Sequence, residues 1–426
     1  MNLRIPNFRY VVAFMLLLAT MINYADRLAI SVVAPTLRKE FGMNEQDYGF
    51  VVSMFMLAYA IMYAGSGPII DRLGTRKGFA VFIAAWSLAA IGHAFAVGRW
   101  SLAFWRFLLG LGEPGNWPAA AKAVAEWFPL EQRALGIGIF NAGSSLGSAI
   151  APPLVAYLTI QFGWRTAFIA VGALGFVWLI AWLLLYQPPH LSRFITQREW
   201  NFLKGRVRPP EEAAPVRQPK GEWLRVLKQR ECYTLILARF FTDPVVYFVI
   251  FWLPEYLQKE RGFNLAMVGK YAWVPFLFGD MGYIFGGWVS GFLIRKGWHW
   301  VRARTAVLML GTIVMPIAIL APRVPEAWMA IGVICVVTLG HALWISNLLT
   351  LPTDMFPASR VGTATGLTGM GGAIGGMLAN LGTGYIVQHY SYSPIFFTAG
   401  LMHPLALTIV YTMLLKRWMQ GQRPPA

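Results

Sequence analysis

The chain has 426 residues, 57% of them hydrophobic and only 13% charged, with 18 Trp and 29 Phe. A soluble domain cannot hide that much apolar surface, so the composition excludes an ordinary globular protein and points to a membrane. The formal charge of +17 does not point to nucleic acid, because most of the Lys and Arg fall on the side of the apolar segments that the N-terminus, the central loop and the C-terminus share. That is the positive-inside distribution, with both termini cytoplasmic. The same excess attracts anionic headgroups of membrane lipids.

Apolar stretches of about 20 residues, enough to cross a bilayer as a helix, recur at 9–35, 47–70, 77–97, 99–125, 133–158, 164–186, 233–257, 268–294, 301–321, 326–352, 360–388 and 394–416. The expected fold is an all-α membrane protein with twelve transmembrane helices in two pseudo-symmetric bundles of six. The expected domains are 1–187, a cytoplasmic linker at 188–231, and 232–426. The first stretch is too long for a secretory signal, carries Asp26 and Arg27, and lacks a small-residue cleavage site, so it is expected to remain as the first helix.

The linker is rich in charge and holds Pro209, Pro210, Pro215 and Pro219. Within it, Thr196 followed by Glu199 predicts a capping box that starts a short helix through Trp200 and Leu203. Trp223 to Leu227 predicts a second amphipathic turn at the membrane surface. Cys232 and Cys335 are too few for a disulfide framework or a metal site. No nucleotide-binding loop or nucleophile elbow is present, so neither cofactor nor metal is expected and an ion gradient is the expected energy source.

Four ionisable residues, Asp26, Arg27, Arg106 and Glu113, interrupt the apolar stretches. Each would cost roughly 2.5–3.5 kcal/mol if it faced lipid unpaired. They are therefore expected to face one another or a wet cavity, as a carrier of organic anions and protons requires. Arg106 and Glu113 are seven residues apart and share a helix face, so Arg106 is expected to hold Glu113 when it is ionised, while Tyr24 lies one turn from Arg27. A static ion pair between the two helices is the alternative reading. Tyr59, Ser144, Ser145 and Asn347 are candidates to hydrogen-bond the hydroxyls of a bound solute, and Trp252, Trp273 and Trp344 to stack on its ring. Arg239 and Asp243 read as an ion pair within one helix, and His341 as a packing histidine.

The chain also repeats itself. Glu126-Trp-Phe-Pro129 leads to Arg133 and a glycine-rich helix, and Asp354-Met-Phe-Pro357 leads to Arg360 and another. Two parallel six-helix repeats with a site between them near the midplane fit this pattern. Most of the glycines are expected to serve close helix packing.

Between the second and third apolar stretches, Gly67-Pro-Ile-Ile-Asp71-Arg72-Leu-Gly74-Thr-Arg76-Lys77 closely resembles the signature G-x-x-x-D-R-x-G-R-K of the major facilitator superfamily. Gly287 to Gly291 with Arg295 and Lys296 resembles a copy that has lost the acid. Asp71 is expected to latch a cytoplasmic gate by accepting hydrogen bonds from a neighbouring helix N-terminus or an arginine. The gating set comprises Gly67, Asp71, Arg72, Gly74, Arg76 and Arg133.

Ile22-Asn-Tyr-Ala-Asp26-Arg27, with Arg106 through Gly112-Glu113-Pro-Gly115-Asn116-Trp-Pro118 to Lys122 and Pro129, resembles the anion:cation symporter branch of that superfamily. Phe140-Asn141 to Ser145, Arg239-Phe-Phe-Thr-Asp243-Pro244, Gly262-Phe-Asn264-Leu265 and Trp273 to Asp280 narrow the resemblance to bacterial hexuronate transporters. The resemblance implies that Arg27 pairs with the substrate carboxylate and that Asp26 and Glu113 couple protons. Glu113 is the firmer of the two, because some hexuronate carriers lack an acid at the position of Asp26. It further implies a monomeric symporter in the bacterial inner membrane that imports a hexuronate such as glucuronate or galacturonate. An aldonate or other organic anion, or anion exchange, is the alternative, with a membrane enzyme or sensor more remote.

Overall fold

The computed structural model describes residues 4–43, 45–207, 221–263, 267 and 271–419. The linker prolines 209, 210, 215 and 219, and the Asn264-Leu265 pair, lie outside the described residues. Helices occupy every expected position: α1 (Phe8–Phe41), α2 (Glu45–Gly92), α3 (Arg99–Gly112), α4 (Asn116–Trp127), α5 (Arg133–Phe162) and α6 (Trp164–Leu185). After two short helices, α7 (Gln197–Leu203) and α8 (Glu222–Lys228), come α9 (Arg230–Lys259), α10 (Val274–Arg295), α11 (Trp300–Val314), α12 (Ala327–Leu348), α13 (Leu351–Met355), α14 (Val361–His389), α15 (Ser393–Val410) and α16 (Lys416–Met419). Nine stretches of the described residues are long and apolar enough to cross a membrane. One of them, Phe50–Phe95, holds two of the expected segments, and α3 with α4 and α14 fill the remaining positions. The protein is an all-α, multi-pass membrane protein, as expected.

Two breaks fall differently from the expectation. The loop expected between the second and third segments is a kink within α2, where Gly74 alone leaves helical geometry (φ 76°, ψ 161°); glycine reaches that conformation without a Cβ penalty. The single helix expected over 99–125 is interrupted by a 3-10 turn at Glu113–Gly115. Pro114 has no backbone N–H, so the α-helical ladder stops there and restarts at Asn116.

Thr196 caps α7 by accepting the Glu199 N–H at 3.2 Å. The Glu199 carboxylate does not turn back to complete the box. It accepts the backbone N–H groups of Phe8 (2.6 Å) and Arg9 (3.2 Å) and the Arg9 guanidinium (2.8 Å). An anion at the orphaned N–H groups of α1 stabilises that helix end. At the other end of α1, the Trp164 indole, helped by Arg165, holds the Glu40 carboxyl below the usual carboxylate range.

The chain divides into two compact units: Met1–Pro129 with Ile139–Trp223 and Phe356–Gly366, and Leu130–Gly138 with Leu224–Met355 and Leu367–Ala426. In the first unit α5 presses against α1. A Cβ at Gly143 would lie 2.3 Å from the Leu17 carbonyl oxygen, and one at Gly147 would lie 2.5 Å from that of Met21. Ala25, Ala29, Ile30 and Val33 of α1 form a core there with Leu102, Val155 and Phe168. The second unit centres on Phe248, Leu253 and Tyr256 of α9 with Ile334 of α12 and Phe396 of α15.

Candidate functional site

Arg27, on α1, points into the first unit and lies at the centre of a cluster of polar and aromatic groups. Its Nε and a terminal nitrogen both donate to Glu113 Oε2, at 2.8 and 2.7 Å. The Tyr24 and Tyr59 rings each lie 4.7 Å from its Cζ, and Phe55 lies 5.4 Å away. This aromatic collar holds the guanidinium by cation–π attraction while leaving its side chain 18% exposed. Glu113 is fully buried, and its Oε1 has no hydrogen-bond partner. Longer bonds of 3.4 Å from Arg27 to Asn23 and from Asn23 to the Glu113 carbonyl tie α1 to the 3-10 turn.

The expected Arg106–Glu113 hydrogen bond is not the one formed. Arg106 donates to the Arg27 carbonyl at 3.3 Å and lies 4.5 Å over the Phe55 ring, while Arg27 reaches Glu113 from the other helix. A spacing of two helical turns places two residues on one face, but it does not decide which of two arginines wins an acid. Asp26 is 2% exposed, and neither of its carboxyl oxygens has a hydrogen-bond partner.

The other polar candidates spread differently. Tyr59 accepts the Trp117 indole N–H at 3.0 Å, which fixes its hydroxyl beside the arginine. Ser144 donates to the Asn141 carbonyl at 2.7 Å, and Ser145, next to it on α5, is half-buried. Asn347 belongs to the second unit and is fully buried. Its amide donates to the Gly286 and Leu343 carbonyls at 3.1 and 3.3 Å, so it ties α12 to α10. Trp344 is buried and Trp273 is 52% exposed. In the second unit Arg239 forms the expected pair with Asp243, at 2.9 and 2.7 Å.

Within the gating set, Asp71 is buried and accepts four hydrogen bonds. Three come from the start of α14, the Gly362 N–H (3.1 Å), the Thr363 N–H (2.7 Å) and the Thr363 hydroxyl (2.8 Å), and one from Lys122 (2.9 Å). The expected helix N-terminus is there, and a lysine takes the place of the expected arginine. Gly67 allows the approach, since a Cβ there would lie 2.2 Å from the Gly362 oxygen. Arg72 is exposed, and Arg76 donates to the Leu183 carbonyl. Arg133 belongs to the second unit, where it donates to the Thr353 carbonyl (2.9 Å) and to Asp354 (3.2 Å).

Sequence reasoning missed two residues of these networks. Lys122 entered the sequence reading only as part of the motif that runs from Arg106 to Pro129, with no role of its own. Arg304 is fully buried and donates to Asp354 (3.2 Å), Ser290 (2.7 Å) and the Leu130 carbonyl (2.8 Å). Where the second-half motif lacks an acid, at Gly291, a Cβ would lie 2.1 Å from the Glu131 carbonyl oxygen.

An all-helical membrane protein that buries an arginine, an acid and an aromatic collar among its spans, with a helix start clasped by an acid, has the make-up of a solute transporter rather than an enzyme. The chain belongs to the Major Facilitator Superfamily, whose family profile matches residues 16–380. It is 31% identical over 414 residues to the hexuronate transporter of Escherichia coli strain K12, covering 96% of this chain and 95% of that one. It is 32% identical over 314 residues to the galacturonate transporter of Dickeya chrysanthemi, covering 73% and 90%. Among solved structures, the proton:xylose symporter XylE superposes with a TM-score of 0.76 over 95% of each chain at 13% identity, which is a likeness of fold.

Proposed function

We propose that the protein is a proton-coupled symporter that imports a sugar acid anion, a hexuronate such as glucuronate or galacturonate, across the bacterial inner membrane, with both termini cytoplasmic and as a monomer. In this reading 1–187 and 232–426 are the two six-helix halves and 188–231 is their linker. The hexuronate and galacturonate transporters among its relatives support the substrate class. The observation that carries the coupling is the Arg27–Glu113 pair. Arg27 is the group that docks the substrate carboxylate, and in the structure Glu113 occupies it.

The chemistry follows from competition for one guanidinium. While Glu113 is ionised it holds Arg27, and an incoming carboxylate meets an occupied partner. A proton on Glu113 removes that charge and frees the fork, which then takes the substrate carboxylate through two parallel hydrogen bonds. Loss of the proton restores the internal pair, so the empty carrier resets without an uncompensated buried charge. Asp26 is the secondary proton site, since a buried carboxyl with no hydrogen-bond partner is tolerated in its neutral form. Tyr24, Tyr59, Arg106, Ser144, Ser145 and Asn347 are proposed to complete substrate recognition. Gly67, Asp71, Arg72, Gly74, Arg76 and Arg133 are proposed to serve gating.

Reconstituted protein and its Glu113→Gln variant test this reading. The parent should concentrate labelled hexuronate, chemically unchanged, when a pH gradient is imposed. Glu113→Gln should still exchange external labelled for internal unlabelled hexuronate, yet fail to concentrate it. A variant that accumulates as the parent does removes Glu113 from coupling. A parent that converts the hexuronate to a product removes the carrier reading.

A further inference from the structure

Tyr59 enters the cluster around Arg27 with a fixed polarity. It is 4% exposed, and its hydroxyl oxygen accepts the Trp117 indole N–H at 3.0 Å. An indole nitrogen donates and cannot accept, and the same holds for a guanidinium. Arg27, whose Cζ lies 4.7 Å from the Tyr59 ring, is therefore a second neighbour that offers only donors. Among the described residues the Tyr59 hydroxyl donates to no acceptor. With the indole hydrogen on a lone pair of the oxygen, the phenol hydrogen is turned away from Trp117 and is left unused beside the guanidinium.

Glu113 does not take it. That acid meets Arg27 through Oε2 alone, and its buried Oε1 has no hydrogen-bond partner. The internal pair thus leaves one donor and one acceptor unmatched in the same cluster. A carboxylate has about four lone-pair sites, so one that meets the Arg27 fork with both oxygens still has room for a third donor. Trp117 is well placed to hold that donor. It is the second residue of α4, directly after the 3-10 turn that carries Glu113, and its ring packs 5.8 Å from that of Phe140 on α5.

We propose that Trp117 is a positioning residue for substrate recognition: it holds the Tyr59 hydroxyl as a hydrogen-bond donor to a carboxylate docked on Arg27, a bond that Glu113 does not make. This deepens the proposed function and rests on Arg27 being the group that docks the hexuronate. The incoming anion gains an interaction beyond those the internal acid has, and Trp117 supplies it through an N–H that does not itself touch the substrate.

The test is calorimetry of hexuronate binding to purified full-length protein at one pH. Tyr59→Phe should weaken binding about tenfold or more, the scale for a hydrogen bond to a charged group. Replacing Trp117 by benzothienylalanine, which keeps the ring shape and exchanges only the N–H for sulfur, should weaken it about three- to tenfold with the thermal midpoint unchanged. In the Tyr59→Phe background the same replacement should change affinity by less than about twofold, because its effect passes through the Tyr59 hydroxyl. A packing role predicts an equal loss in both backgrounds. That result, or unchanged affinity when the N–H alone is removed, would overturn the inference. If Tyr59→Phe does not fold, the benzothienylalanine protein decides the matter by its affinity. A parent that binds no hexuronate overturns the transport reading and this inference with it, whereas a parent that binds while the replacement has no effect overturns the inference alone.

Discussion

Arg27 directs two donors at one oxygen of Glu113 and leaves Oε1 without a partner. A free carboxylate presenting both oxygens to the fork makes two parallel bonds, so it has a geometric advantage over the internal acid. Lysine cannot reproduce that fork. Arg27→Lys is therefore expected to lose about 2–5 kcal/mol of hexuronate binding, the scale for removing one partner of a buried charge pair. Calorimetry on purified protein reads this directly, and near-parent affinity would remove Arg27 from the binding role. At this scale the sequence showed which residues are unusual, since Asp26, Arg27, Arg106 and Glu113 are charges in apolar helices. It did not show the pairing. Arg106 lies on α3, which ends one residue before Glu113, yet its guanidinium goes to the Arg27 carbonyl, because contacts between helices are set by packing that spacing along one helix does not encode.

Glycines decide how closely the elements of the first unit approach. At Gly147 an added Cβ would meet the Met21 oxygen at 2.5 Å and the Tyr24 Cβ at 2.9 Å, so a side chain there pushes α5 off α1 and displaces the collar around Arg27. Gly147→Leu is expected to cost about 1–3 kcal/mol of stability, as overpacking does. It should lower both the thermal midpoint and hexuronate affinity. Gly332 on α12 has open space around its Cβ position and serves as the control, with Gly332→Leu expected to leave both near the parent value. A Gly147→Leu protein with unchanged midpoint and affinity would show that this contact does not position the site. The glycine-rich helices were legible as close-packing surfaces, but their partners were not. The sequence carries no mark that Gly67 meets the start of α14, or that Gly287 meets Ala134 of α5.

For the molecule as a whole, hydropathy located the helices well, because lipid enforces long apolar runs with few exceptions. The unit boundaries were less legible. Leu130–Gly138 and Phe356–Gly366 each fall in the unit opposite to their place in the chain order, held there by Arg304, Asp354 and Arg133 in one case and by Asp71 and Lys122 in the other. Such contacts join residues far apart in sequence and leave no local pattern. The orientation itself is testable, since Cys232 and Cys335 are both buried and give little background to a membrane-impermeant thiol reagent. Asn201→Cys should react only in inverted vesicles and Gln161→Cys only in right-side-out ones; the reverse result would overturn the proposed topology. The clasp on α1 also bears on how the chain is made. Glu199 covers the N–H groups of Phe8 and Arg9 from 191 and 190 residues downstream, so during synthesis the first helix begins with its end unsatisfied and is completed only after all of α1 to α6 has emerged. The segment after α6 then acts as a late fastener, closing the first unit at the residue with which its first helix began.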